Sequence, residues 1–403
     1  MSVTYTARWL FPVSSEPLEH GTITVADGMI ESVDPQGKYG PDVDLGNVAV
    51  IPGLGNAHTH LDLSGARGLI PPTTPERCTE WLEAVIAYRR QRTADQVQAD
   101  IRAGLAEAMK FGTTMIGDVS AGGASYDILA EASIRAVCFY EVLGLSSARC
   151  EVAEAAFLGW YGREPRCENV WKGISPHAPY STARRLFHFP SRNERAVPTA
   201  SHLAEFPAER ELLEVGTGPF VGFLDRLGIT DRGDLLGSPE EALTLYHSMP
   251  QRKVKLWVHG NDLHPSAAAL FRNTDTLVYC PRTHAAFGHV RHPIAEFLAA
   301  GVRVALGTDS LASNPDLDPL AEARILYEHR PDIAPRRLLA MVTSHAVEAM
   351  GLGLCEWTGR LAAECLADLV VVPLPAEPGE PHHLLLGTGD HGERRTLFRG
   401  QWR

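Results

Sequence analysis

Eight short runs rich in Val, Ile, Leu and Ala, spaced so that helices fit between most of them, constrain this chain more than any other feature. They are Val48–Pro52, Thr113–Asp118, Ile134–Glu141, Val170–Ser175, Ala196–His202, Val254–His259, Thr276–Cys280 and Val302–Thr308. The runs are continuous rather than alternating, which is what parallel strands covered on both faces require. Asp95–Lys110 and Pro293–Ala300 lie between runs and have helical character, as does Pro335–Met350 after the last one. Eight strands alternating with helices over about 300 residues fit a (β/α)8 barrel, a fold that typically takes ~250 residues.

In such a barrel chemistry gathers at the C-terminal strand ends, and polar residues collect there. His58 and His60 follow the first run; at i and i+2 of an extended chain their imidazoles point the same way. The fifth run ends in Ser201-His202-Leu203-Ala204-Glu205, the sixth in Val258-His259-Gly260, the eighth in Gly307-Thr308-Asp309-Ser310. A catalytic zinc-type site needs about three or four such donors and one position left for water. A His-x-His alone is a weak signal among 17 histidines, but matched strand ends favour a metal reading of His58, His60 and His202. A hydrogen-bonded structural role is the expectation for His247, His264, His289 and His292. Asp309 has the alternative of capping the following helix, Glu205 that of an acid near a helix start, and His177 that of packing between Pro176 and Pro179.

Taken together, Pro52–Leu61, Gly112-Thr113-Thr114, Ser175-Pro176-His177-Ala178-Pro179-Tyr180, His202–Glu205, Val258-His259, Cys280-Pro281-Arg282 and Gly307-Thr308-Asp309-Ser310 resemble the amidohydrolase superfamily, in its cytosine deaminase-like branch. Gly359-Arg360-Leu361 and Ala367–Val372 extend the resemblance to nearly the whole chain. Three departures stand out. Thr283-His284 follow Cys-Pro-Arg where Ser-Asn is usual, and Glu364 replaces a common glycine. No acid stands near Arg89-Arg90, where the S-adenosylhomocysteine and methylthioadenosine deaminases hold ribose.

The resemblance implies one divalent ion, zinc first with iron and manganese as alternatives, held by His58, His60, His202 and Asp309. It implies that His259 orients the attacking water, that Asp309 takes its proton and that Glu205 protonates a substrate ring nitrogen. Substrate contacts are expected from His177, Glu205 and Arg282, the last facing a carboxylate, with Arg67, Arg89 and Arg90 as other candidates. Binuclear members bridge two metals through a lysine at the end of strand four. Here Lys172 lies about three residues, roughly 10 Å, short of that end at ~3.3 Å per residue, so a single ion is expected. The implied activity is hydrolytic deamination of an aminopurine nucleoside or related amino-heterocycle. His202–Gly218 looks most like the 6-aminodeoxyfutalosine deaminases of menaquinone biosynthesis. Hydrolysis of a cyclic amide or a chloro-triazine by the same site is the alternative, and a non-catalytic scaffold of the same fold is a third reading.

Both chain ends are expected to build one small β-sandwich, residues 1–50 with 360–403, beside a barrel of residues 51–359. Asp27-Gly28 between two alternating runs is a hairpin signal. A net charge of −12 without a basic run argues against nucleic acid and anionic membranes. The expected partners are a small-molecule substrate and a second copy of the chain in a homodimer. Seven scattered cysteines form no Cys-x-x-Cys and fit a reducing cytoplasm; neither a signal peptide nor a membrane span is expected.

Overall fold

The computed structural model describes residues 2–36, 38, 40–192, 197–245, 254–351, 358–387 and 392–403; Ala196, His247 and Cys355 lie outside them. Its centre is an eight-stranded sheet of β1 (Leu54–Thr59), β2 (Thr113–Ala121), β3 (Arg135–Val142), β4 (Val170–Pro176), β5 (Thr199–Leu203), β6 (Lys255–His259), β7 (Asp275–Tyr279) and β8 (Arg303–Leu306). Strands adjacent in sequence are adjacent in the sheet, and every pairing is parallel. A parallel bridge between Thr59 and Asp309 joins the first strand to the last and closes a (β/α)8 barrel. At that seam the N–H groups of Thr308 and Asp309 both donate to the His58 carbonyl, at 3.1 and 3.0 Å. Gly307 permits so close an approach, because a Cβ there would meet the backbone N and O of His58 at 2.9 Å.

Every residue of β1, β5, β6 and β7 is buried, as strands covered on both faces must be. Ala57, Val137, Phe139, Val258, Val278 and Ala305 pack in one cluster, which helix Ser344–Met350 completes with Ala346 and Met350. The expected helix 335–350 is two, Pro335–Met341 and Ser344–Met350. Between them Thr343 leaves helical geometry and its Oγ1 donates to the Leu339 carbonyl at 2.7 Å, the back-bonding by which threonine competes with a helix.

Val48–Pro52 is not the first barrel strand. It pairs antiparallel with Leu369–Pro373 in a six-stranded sheet that also holds Trp9–Leu10, Leu18–Glu19, Arg395–Phe398 and Gln401–Trp402. A four-stranded sheet of Ser2–Thr6, Thr22–Ala26, Met29–Asp34 and Val43–Asp44 shares its core, with Tyr5, Ile23 and Ile30 packed on Val50, Leu369 and Leu397. Asp27 and Gly28 turn the hairpin at φ 49° and 80°, the left-handed values that an Asp-Gly turn supplies. Strand β1 starts only at Leu54, beyond the turn at Pro52-Gly53, so His58 and Thr59 close it and His60 stands just past its end. Among the described residues no helix is long and apolar enough to cross a membrane.

Candidate metal and active site

The strand ends bring five side chains to one point. His58 Nε2 lies 3.6 Å and His60 Nε2 3.8 Å from Asp309 Oδ1. His60 Nε2 lies 3.1 Å from His202 Nε2. Two trios, His58–His60–Asp309 and His58–His202–His259, each hold their donor atoms within 4.8 Å of one another. All five residues are buried. Burial pushes the imidazole pKa values of His60, His202 and His259 well below their ordinary value, and neighbouring imidazoles add to the effect. The rings are therefore neutral and offer lone pairs.

Hydrogen bonds around the cluster aim those lone pairs. His202 Nδ1 donates to the His177 carbonyl at 2.9 Å, which leaves Nε2 as the acceptor. Ser313 Oγ donates to Asp309 Oδ2 at 3.0 Å and meets Thr283 Oγ1 at 3.1 Å. Thr283 thus braces Asp309 through a serine, even though its loop departs from the usual Ser-Asn. His292, expected to be structural, holds the His259 carbonyl through Nε2 at 2.9 Å. Among the described residues, buried His58 Nε2 has no hydrogen-bond partner, a state that costs ~1–3 kcal/mol and that a cation at this point would remove. A donor set of imidazole nitrogens and one carboxylate fits a divalent transition metal. His259 and Asp309 also adopt left-handed φ values of 72° and 56°, the kind of backbone strain that persists where a site over-determines it.

Glu205 faces this cluster. Its Oε1 lies 3.6 Å from His259 Nε2. Burial, the Asp309 charge and then the Glu209 charge push its pKa well above the ordinary carboxyl value, so the group is poised to donate a proton. The turn that presents it runs through Ala204 at φ 47°, whose N–H donates to Glu209 Oε1 at 2.7 Å. Glu209 itself is fully buried, and burial pushes its pKa up to about 8.

A cavity of about 50 Å³ is walled by His60, His202, Glu205, His259 and Asp309, with Trp81 and Tyr180 over them. Leu82, Val85, Arg89, Glu141, His177 and Tyr180 also wall a larger cavity of about 490 Å³ outside it. Helix Pro219–Arg226 and the residues after it supply Phe223, Leu224 and Ile229 to that outer space. Another cavity, about 830 Å³ around Arg303 and Arg337, includes none of the cluster residues.

Two expected contacts need correction. Arg282 does not line the site: its Nε donates to Glu322 Oε1 and its Nη2 to Asp316 Oδ1, each at 2.7 Å, and its backbone N–H to Glu322 Oε2 at 2.9 Å. Arg67 is paired with Glu107. His177, by contrast, lines both cavities, with Nδ1 2.6 Å from Ser181 Oγ. Lys172 Nζ donates to the Tyr161 carbonyl at 3.0 Å and to the carbonyls of Trp160 and Arg163, away from the rim. The Arg89–Glu141–Asp62 group in the cavity wall has no sequence motif behind it. The one signal was an acid at the end of the third run, at a rim position.

The model of the Amidohydrolase family matches residues 49–390. The chain belongs to this family. Among relatives of this amidohydrolase, a 5-methylthioadenosine/S-adenosylhomocysteine deaminase of Nitratidesulfovibrio vulgaris is 28% identical, over 95% of this chain and 87% of its own. An aminodeoxyfutalosine deaminase of Nitratiruptor sp. is 24% identical, over 82% of this chain and 80% of its own. The crystal structure of Helicobacter pylori aminofutalosine deaminase in complex with methylthio-coformycin superposes with a TM-score of 0.85 at 21% identity, over 100% of both chains.

Proposed function

We propose that this amidohydrolase is a hydrolytic deaminase of an aminopurine nucleoside, with one zinc ion per chain held by His58, His60, His202 and Asp309. The observation that carries the reading is the convergence of imidazole nitrogens and Asp309 Oδ1 on one buried point, with Glu205 Oε1 3.6 Å from His259 Nε2 beside it. A divalent ion held by these residues would act as a Lewis acid and make a water acidic enough to attack at neutral pH, lowering its pKa from near 16 to about 7. Asp309 takes a proton from the water that adds to the ring carbon. His259 hydrogen-bonds the oxygen that becomes negative as it adds. Glu205 protonates the adjacent ring nitrogen, which makes that carbon electrophilic. The proton held by Asp309 then passes to the amino group as its C–N bond breaks, and the proton left on the added hydroxyl returns to Glu205, so water enters and ammonia leaves with both acids restored.

The substrate proposed is 6-aminodeoxyfutalosine, an adenine nucleoside that carries a benzoate. The outer cavity supports this, since Leu82, Val85, Ile86, Phe223 and Leu224 offer an aromatic ring an apolar wall. Arg90 and Arg149 line the same cavity, and among the described residues neither guanidinium has an acidic partner within ion-pair distance. They replace Arg282 as the carboxylate contact, a role suited to a planar and permanently charged group. Ammonia release is to be measured across 6-aminodeoxyfutalosine, adenosine, guanine, cytosine and triazines, with elemental analysis of the same preparation. Preference for the benzoate nucleoside over adenosine by more than about 10-fold is expected, with one metal per chain. Preference for guanine, cytosine or a triazine would overturn the substrate, and two metals per chain would overturn the single-ion site.

A further inference from the structure

Where the inner and outer cavities share a wall, the protein buries an ionic group that its own side chains leave incomplete. Arg89 Nη2 contacts Asp62 Oδ2 at 3.1 Å, and Arg89 Nη1 contacts Glu141 Oε2 at 3.4 Å. Two buried carboxylates therefore share one guanidinium. Burial works against the charge on Arg89, and Asp62 and Glu141 more than offset it, so its pKa stands above the ordinary value. Among the described residues two buried atoms of the group have no hydrogen-bond partner: Glu141 Oε1, an acceptor, and Arg89 Nε, a donor. His177 Nε2 lies 3.9 Å from Glu141 Oε1, beyond hydrogen-bond reach.

An unspent acceptor and an unspent donor within one ion-paired group define the chemistry that completes them. A carboxylate has no donor for Glu141, and an ammonium has no acceptor for Arg89. A hydroxyl is both, and neighbouring hydroxyls serve the two atoms at once. The position agrees: Arg89 and Glu141 stand between the cavity beside the metal cluster and the apolar space outside it. A nucleoside with its base inside and its tail outside places its sugar there. Resting on the nucleoside reading above, we infer that Glu141 and Arg89 form the site that reads the sugar hydroxyls of the substrate, Glu141 accepting and Arg89 donating. Glu141 then selects nucleosides over free bases and deoxygenated analogues.

The test compares kcat/KM for adenosine and 2′,3′-dideoxyadenosine, using zinc-loaded wild-type protein and its Glu141→Gln and Glu141→Ala variants. A hydrogen bond to a charged group makes the wild-type ratio about 10- to 100-fold in favour of adenosine. In Glu141→Ala the ratio should fall below about 3-fold, and most of the change should appear in KM. If that variant does not fold, Glu141→Gln reads the same ratio at nearly the same volume, and its ratio should also shrink. A ratio below about 2-fold in the wild type overturns the inference without any variant. So does a variant that slows both nucleosides equally, which is the signature of a purely structural acid. Wild-type protein that deaminates free heterocycles but neither nucleoside overturns the sugar site and leaves metal-dependent deamination standing. Protein inert to every aminopurine overturns the proposed function itself.

Discussion

Two arginine–carboxylate groups with buried acids lie on the barrel rim, one at the end of β3 and one after β7, and their hydrogen-bond inventories differ. In the group after β7, Glu322 Oε1 accepts from Arg282 Nε and from Asn314 Nδ2, each at 2.7 Å, and Oε2 accepts from the Arg282 backbone. Arg282 Nη2 donates to Asp316 Oδ1 at 2.7 Å and to the carbonyls of Asp316 and Asp318. In the group between the cavities, Glu141 Oε1 and Arg89 Nε are both left open. A buried polar atom without a partner costs free energy, so a group that is already complete has nothing to offer a ligand, whereas an incomplete one does. The metal cluster follows the second pattern, with His58 Nε2 open at its centre. Residue type separates none of these cases; saturation does.

The strongest way to break the comparison is to remove an open donor from the metal cluster. His202→Ala deletes the nitrogen that Nδ1–H···O=C bonding aims at the shared point. The purified variant is expected to retain less than about a tenth of the metal and to lose essentially all turnover, because affinity depends on ligand count. Elemental analysis that finds a full complement of metal in this variant would remove His202 from the ligand set.

Glu205→Gln comes next in size. It keeps the shape of the side chain and lies outside the proposed ligand set, so metal content should match wild type while kcat falls by ~10²-fold or more. Near-normal deamination by this variant would take the ring-nitrogen acid away from Glu205 and leave its raised pKa without a use.

What was legible in the sequence divides along the same line. Strand ends carry their chemistry locally, so His58, His60, His202, His259 and Asp309 could be grouped from the order of runs alone. Lys172 could likewise be kept off the rim by counting residues along its strand. Val48–Pro52 misled because five apolar residues suit any fully covered strand. The true first strand, Leu-Gly-Asn-Ala-His-Thr, contains glycine and asparagine and has little strand propensity of its own. Its place is set by the β1–β8 seam, a contact about 250 residues apart in the chain. Arg282 misled for a related reason. Its position one turn past a rim strand is visible in the sequence, but Glu322, forty residues on, decides where its guanidinium goes. The same non-locality hid Glu141 and its pairing with Arg89, a residue named from the sequence only as a candidate carboxylate contact; the two come from β3 and from helix Cys78–Gln91.

The saturated group makes a prediction of the other kind. Arg282→Met removes one partner of a buried pair and leaves Glu322 fully buried. A loss of about 3 kcal/mol in unfolding free energy is expected; burial already raises the pKa of Glu322, so protonation limits the damage. Denaturant midpoints measure this. The ratio of kcat/KM for the benzoate nucleoside to that for adenosine should stay within about 2-fold of wild type. If that ratio collapsed while stability held, a complete group would be reading substrate after all, and saturation would be a poor guide.

Arg149→Ala carries the smallest expected effect and sharpens the comparison from outside the core. Arg149 is exposed at the outer cavity, on helix Ser147–Tyr161, with no acidic partner within ion-pair distance among the described residues. It is open in the same sense as Arg89, but water already satisfies its donors. A contact with a substrate carboxylate there trades hydration for an ion pair and is screened by salt, so it is worth about 1 kcal/mol or less. The variant should lower the preference for the benzoate nucleoside over adenosine by roughly 3- to 5-fold. The decrease should fade as ionic strength rises, since screening erases the wild-type advantage at the same time. It should also leave adenosine kinetics and metal content where they were, because Arg149 touches neither the inner cavity nor the cluster. A loss of equal size on both nucleosides would mean that Arg149 shapes the cavity wall rather than reading charge, and would move the carboxylate contact to Arg90.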